Sequence, residues 1–248
     1  MSVRFVLRAG QRGYSHLPSL GLNASYIAGH PDGAITRHSS FNFHEYQAGI
    51  PGFGALKVFG DEVFTPNGTG YNMHPHHNFI IMALVLGGTL THINTIGKID
   101  ELGRDDYYVF SAGSGGKHSE LNIGAEDMQA IYVWVLPARL LAPPSYGRAR
   151  FDREAGANRI TCLVGDAPGA LPIDQTFKLS RLVSDTDRRY VYRPTKANGL
   201  YAFVLEGDVE IAGAILACRD SIALQDEDAV DIAVRSGGTD LLLVETRL

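Results

Sequence analysis

Two histidines, His74 and His76, flank a proline in the stretch MHPHH. In an extended strand, residues i and i+2 point to the same face with Cα atoms about 6.5 Å apart, so both imidazoles can meet one metal ion. Pro75 favours that extended chain, because it lacks an N–H and biases His74 away from helix. Further on, SAGSGGKHSELN places His118 and Glu120 at the same spacing, after a turn built on Gly113, Gly115 and Gly116. Two strands, each offering two donors, can converge across a barrel interior as three imidazoles and one carboxylate. Such donors suit iron, nickel, copper, zinc or manganese and disfavour calcium and magnesium. Four protein ligands saturate tetrahedral zinc but leave a five- or six-coordinate ion open to a substrate oxygen or to dioxygen. The expected metal ligands are therefore His74, His76, His118 and Glu120. The expected cofactor is one divalent first-row ion, with Fe(II) first and Zn, Ni, Cu or Mn as the other choices. A lone His-x-His pair would be weak grounds; the joint pattern is stronger.

The remaining candidates are weighed against ordinary structural roles. His77 follows His76 directly and should face away from the site. His92, in TLTHINT, reads as an ordinary strand histidine. His16, His30, His38 and His44 lie in a less regular N-terminal stretch, and nothing selects one of them. Tyr71, Met73, Phe110 and Trp134 are candidate pocket-lining residues, although plain core is the commoner fate of such side chains. Cys162 and Cys218 form no CxxC and read as free thiols of a reducing compartment.

The elements that must position the four donors are strands. FIIMALVL, TLTHI, YYVFSA, AIYVWVL, ITCLV, LYAFVL and DLLLVET recur at spacings near ten residues, punctuated by Gly, Asp and Asn. This is the pattern of an all-β sandwich or barrel. FIIMALVL should be buried on both faces. The stretch 142–159, rich in Pro, Gly and Arg, interrupts the pattern and divides the chain. The expected organisation is an N-terminal metal-binding domain over 1–137, a linker over 138–160 and a C-terminal domain over 161–248.

The two halves resemble each other. At a constant offset of 119 residues, HPHHNFIIMALVLGGTL lies over RPTKANGLYAFVLEGDV. Pro75 then meets Pro194, Gly88 meets Gly207, His74 falls on Arg193 and His76 on Thr195. Arg104-Asp105 falls on Arg219-Asp220 at an offset of 115. An internal duplication explains the ordered matches. All nine histidines lie at or before position 118, so the second copy is expected to hold no metal.

Composition narrows the function classes. Of the 248 residues, 45% are hydrophobic and 20% charged, which suits a globular chain with a sizeable core. A formal charge of −5 with no Lys/Arg block gives no footprint for direct nucleic-acid binding. The N-terminus lacks the apolar run of a signal peptide, and no segment approaches the ~18 apolar residues of a membrane span. The expected location is the cytoplasm.

A family resemblance rests on these same motifs. Gly68-x5-His74-Pro-His76, followed by a strand ending at Gly87, resembles the first cupin motif. SAGSGGKHSELN, with His118 and Asn122 inside it, resembles the second. The HPH opening, the HSE ending, SFNFHEY (40–46), GFGALKVFGDEVFTPNGTGYNMHPHH (52–77), VWVLP (133–137) and PPSY are similar to the pirin family of two-cupin proteins. That resemblance covers most of residues 38–147 and, more loosely, the second half. It implies an all-β bicupin fold and a metal, usually iron, held by His74, His76, His118 and Glu120. It also implies one of two functions. One is a quercetin 2,3-dioxygenase-type oxidoreductase, opening a flavonol-like or other phenolic substrate with O2, with Glu120 taking the 3-hydroxyl proton. The other is a non-enzymatic, metal-dependent regulator that acts through a protein partner. The chain departs from the family pattern at Ile80, where a Glu is usual, at Asn94 of His92-Ile-Asn94, and at Tyr107 and Tyr108.

Overall fold

The computed structural model describes residues 2–20, 26–43 and 49–248. The described elements are β-strands apart from one short 3-10 turn at Ala9–Gln11, as the strand-length apolar runs require. The described residues include no helix long and apolar enough to cross a membrane. The HEY end of SFNFHEY, His44 included, lies outside the described residues.

The chain forms two compact units. One comprises Gly13–Gly52 and Leu56–Arg150, and carries every candidate donor. Its larger sheet has seven antiparallel strands in the order Ser145–Arg150, Asp106–Ser111, Ile80–Gly87, Met128–Val135, Leu56–Phe64, Ala34–Ser39 and Gly13–Pro18. Its smaller sheet runs Ile27–Ala28, Thr69–His76, Gly116–Asn122, Leu90–Asn94 and Lys98–Leu102. Alternation along the strands drives one core between the sheets: Ile81, Ala83 and Val85 from one strand, Ala130 and Tyr132 from its neighbour, Tyr108 and Phe110 from the other side. Ile80, Met82 and Leu84 are buried as well, so this central strand is apolar on both faces.

The other unit comprises Met1–Arg12, Phe53–Ala55 and Phe151–Leu248. Its six-stranded sheet runs Ser2–Leu7, Ser221–Gln225, Asn198–Glu206, Thr239–Arg247, Phe177–Ser184 and Arg159–Val164. A second sheet of Arg189–Tyr192, Val230–Val234, Val209–Ile211 and Ala214–Leu216 closes over a core that includes Leu200, Ala202, Val204, Leu241 and Leu243. The order repeats that of the first unit, which has two further edge strands, Gly13–Pro18 and Ile27–Ala28.

The division differs from the one expected from sequence. The first strand, Ser2–Leu7, pairs with Ser221–Gln225 and belongs to the second unit. The stretch expected as linker carries Ser145–Arg150, paired with Asp106–Ser111 in the first unit. In each unit one sheet edge would otherwise present unpaired N–H and C=O groups, and a segment from outside the repeated core fills that place.

Registers also refine the internal repeat. Tyr107 opposes Leu84, and Ser221 opposes Phe203, which sets Tyr107 on Ser221 at an offset of 114. Asp105 and Arg219, both at φ 69°, then mark the same left-handed turn position. The offset of 115 is thus corrected to 114: Asp106, the second Asp of Arg104-Asp105-Asp106, is the counterpart of Asp220. On the smaller sheets, Tyr192 opposes Val230 as His74 opposes His118, so the counterpart of His74 is Tyr192 rather than Arg193.

Candidate metal centre

His74 and His76 lie on Thr69–His76, and His118 lies on Gly116–Asn122, the adjacent antiparallel strand. His118 is directly opposite His74. The register shifts between His118 and Glu120, so that Glu120 faces Tyr71 instead of Asn72. This bulge inserts one residue in the Thr69–His76 strand and brings Tyr71 to the same face as His74, with ring centroids 5.9 Å apart. Gly70 makes the close approach possible: a Cβ there would stand 2.0 Å from the Glu120 carbonyl oxygen. Gly113, at φ 51°, turns the chain into the His118 strand where a Cβ would meet the Ala142 carbonyl at 2.0 Å.

The result is a group of three imidazoles whose donor atoms all lie within 4.8 Å of one another. Ring centroids are 4.5 Å apart for His74 and His118, 4.8 Å for His74 and His76, and 4.9 Å for His76 and His118. The inner nitrogens are prepared for a metal. His74 Nδ1 donates to the Asn72 carbonyl at 2.7 Å, which leaves its Nε2 lone pair free. His118 Nδ1 is occupied by His92 Nε2 at 3.1 Å, and its own Nε2 is buried with no hydrogen-bond partner. Burial pushes the pKa of both His74 and His118 below the usual imidazole range, and for His118 the neighbouring histidines add to this. Neutral, converging imidazoles with an orphaned inner nitrogen fit a divalent first-row cation.

Glu120 lies beside this group, not inside it. One carboxylate oxygen is 3.8 Å from His118 Nε2, and the other accepts a hydrogen bond from the Tyr108 hydroxyl. Burial raises its pKa to about 8, against the opposing effect of the Tyr108 hydrogen bond. Tyr108, one of the departures from the family pattern, thus holds this carboxyl. Glu62 nearby contributes further repulsion. Glu62 is itself held in a buried cluster, accepting from Arg37 Nε at 2.9 Å and from the Tyr71 hydroxyl at 2.6 Å, while Arg37 also donates to Tyr71.

Aromatic side chains wall the site. Trp134 meets His76 edge-on at 4.8 Å and is flanked by Phe43 at 5.2 Å and Phe79 at 5.7 Å. Phe110 stacks on His118 at 5.0 Å. Of the other candidates, Tyr71 is core and Met73 is exposed. A pocket of about 420 Å³ opens at the rim, lined by Pro75, His76, Thr95, Gly115, Gly116 and Lys117. His77 is exposed and borders the same rim. His16 and His30 are exposed, and His38 packs on Tyr14 at 5.2 Å, on a strand of the larger sheet.

His92 is not the ordinary strand residue expected. It opposes Glu120 across the sheet, is fully buried, and contacts His118 directly. Its alternation with His118 and Glu120 on one inward face was the available signal, but the pairing that reveals it is non-local. The second unit carries no histidine: Tyr192, Val230, Ile232 and Glu245 take the register positions of His74, His118, Glu120 and Trp134.

Comparison with known proteins agrees with this architecture. Residues 27–135 match the family model Pirin, and residues 165–246 match the model for the quercetinase C-terminal cupin domain. The chain is 31% identical over 206 residues to quercetin 2,3-dioxygenase of Escherichia coli (strain K12), covering 82% of this chain and 88% of that protein. It is 28% identical over 223 residues to the pirin-like protein of Caulobacter vibrioides, covering 88% and 95%. Among solved structures, the bacterial pirin YhhW of Escherichia coli in complex with nickel(II) superposes with a TM-score of 0.84 at 25% identity, over 98% of each chain.

Proposed function

Because the chain belongs to the pirin family of two-cupin proteins, we propose that it is a metal-dependent dioxygenase acting on a flavonol-like, quercetin-type phenolic compound. The observation that carries the reading is the convergence of His74, His76 and His118, with the His118 inner nitrogen buried and unsatisfied. Fe(II) is the ion proposed for the site, and when bound it would supply a Lewis-acidic, redox-active centre to which a deprotonated phenol and O2 can both be drawn.

The protein's own groups have separable tasks. The three imidazoles hold the ion as neutral donors. Glu120 is proposed both as fourth ligand and as the base that receives the substrate hydroxyl proton, once its carboxylate detaches from the ion; burial favours the protonated form of the free carboxyl. The Tyr108 hydroxyl keeps that carboxyl aimed while the proton is exchanged. Trp134, Phe43 and Phe79 offer aromatic edges and faces to a planar ring system near His76. The rim beside Gly115 and Gly116 is the proposed approach.

Oxygen uptake by the iron-loaded protein, measured with quercetin and with a panel of simpler phenols, tests the proposal. Consumption that depends on both metal and flavonol is expected. A flat trace with every phenol, from protein that holds one metal per chain, would overturn it.

A further inference from the structure

We infer that His92 is a positioning residue for the metal centre: its Nε2 accepts the Nδ1 proton of His118 and thereby holds the His118 Nε2 lone pair toward the ion. The inference rests on the reading of His118 as a metal donor and concerns a residue in no ligand set.

The argument is one of proton placement. An imidazole that binds a cation through Nε2 must carry its proton on Nδ1. The two opposed ligands solve this differently. His74 gives its Nδ1 proton to the Asn72 carbonyl, an atom that can only accept. His118 has its Nδ1 3.1 Å from another imidazole nitrogen, which accepts only if His92 carries its own proton on the far side, at Nδ1. The orientation of His118 is therefore coupled to the tautomer of a second histidine.

The ring of His92 is fixed by its neighbours, while its own Nδ1 is buried with no hydrogen-bond partner. Its ring stacks on Tyr146 at 5.0 Å with 7° between planes, and lies 4.3 Å from Tyr108, the residue that holds Glu120. It is fully buried, so water does not compete for its nitrogen. Many metal-bound histidines rest on a carboxylate, which adds negative charge to the ligand. An imidazole partner adds none, so His118 stays a neutral donor and Glu120 is the sole anionic group of the expected ligand set.

Two variants separate this role from packing. His92→Phe keeps a ring against Tyr146 and removes the acceptor. His92→Gln loses the ring and supplies an amide oxygen that can accept. Nickel(II) or cobalt(II) affinity is measured by chelator competition, with the thermal midpoint of the metal-free protein as the folding control. The expected result is a loss of about 10- to 100-fold in affinity for His92→Phe, and a clearly smaller loss for His92→Gln. In zinc-loaded protein labelled with ¹⁵N-histidine, the parent should show a protected His118 Nδ1 proton. Equal affinity of His92→Phe and parent would overturn the inference, as would a larger loss for His92→Gln in folded protein. Absence of metal binding by the parent would instead remove the centre itself, and the inference with it.

Discussion

If Glu120 is a ligand, metal affinity must climb steeply with pH, because a buried proton has to leave before the carboxylate can bind. With a pKa of about 8 in the metal-free protein, the ionised fraction is about 1% at pH 6 and about half at pH 8. Apparent affinity should therefore rise by about 50-fold over that interval through this group alone. Burial lowers the pKa of His74 and His118, so each adds less to the slope than an exposed imidazole would. The perturbation is Glu120→Gln, which keeps the shape and the Tyr108 contact but has no titrating proton. The assay is nickel(II) competition against a chelator of known pH dependence at pH 6, 7 and 8. The parent should show the steep rise, and Glu120→Gln a nearly flat line that meets the parent at low pH and falls below it at high pH. Parallel slopes would refute the reasoning, and would leave Glu120 as a base beside a three-histidine site.

Three more outcomes follow from the geometry. Arg37→Met strands the buried Glu62 carboxylate and should destabilise the fold by about 3–5 kcal/mol, whereas Arg37→Met combined with Glu62→Met should recover much of that; chemical denaturation of both variants checks it. Trp134→Ala should raise the quercetin KM about fivefold, from the loss of about 1 kcal/mol of ring contact, with metal content unchanged by elemental analysis. Asp220 is pushed up by burial, but hydrogen bonds from Arg8 and from the Ala9 and Ala217 amides outweigh this and lower its pKa. Its contribution is thus complete above the ordinary carboxylate pKa and fades as pH falls through the lowered value; thermal midpoints below pH 4 should drop more for the parent than for Asp220→Asn.

The convergence of the histidines was legible because strand alternation is local: His74, Pro75 and His76 state their geometry within three residues. His118 was legible for the same reason, through its spacing to Glu120 and the glycines before it. What escaped depends on pairing between strands. The bulge that sets Tyr71 beside His74 leaves no mark in either strand alone. His92 reaches His118 only through the register of Leu90–Asn94 against Gly116–Asn122. Glu120 was expected among the donors on parity, but whether its carboxyl meets an ion or a tyrosine depends on Tyr108, which comes from the other sheet. The strand Ser145–Arg150 was hidden by its composition, since Ser, Gly and Arg read as loop until Asp106–Ser111 supplies a partner.

The exchange of edge strands sets an order on synthesis. Ser2–Leu7 leaves the ribosome long before its partner Ser221–Gln225, which appears more than two hundred residues later. The histidine-bearing unit, by contrast, has every strand it needs once Arg150 is made. The histidine site can therefore be complete while the opening segment of the chain is still waiting, an exposed strand of Val3, Phe5 and Val6 with nowhere to pair. The closing of the second unit is then a long-range event between strands more than two hundred residues apart, slow by its contact distance.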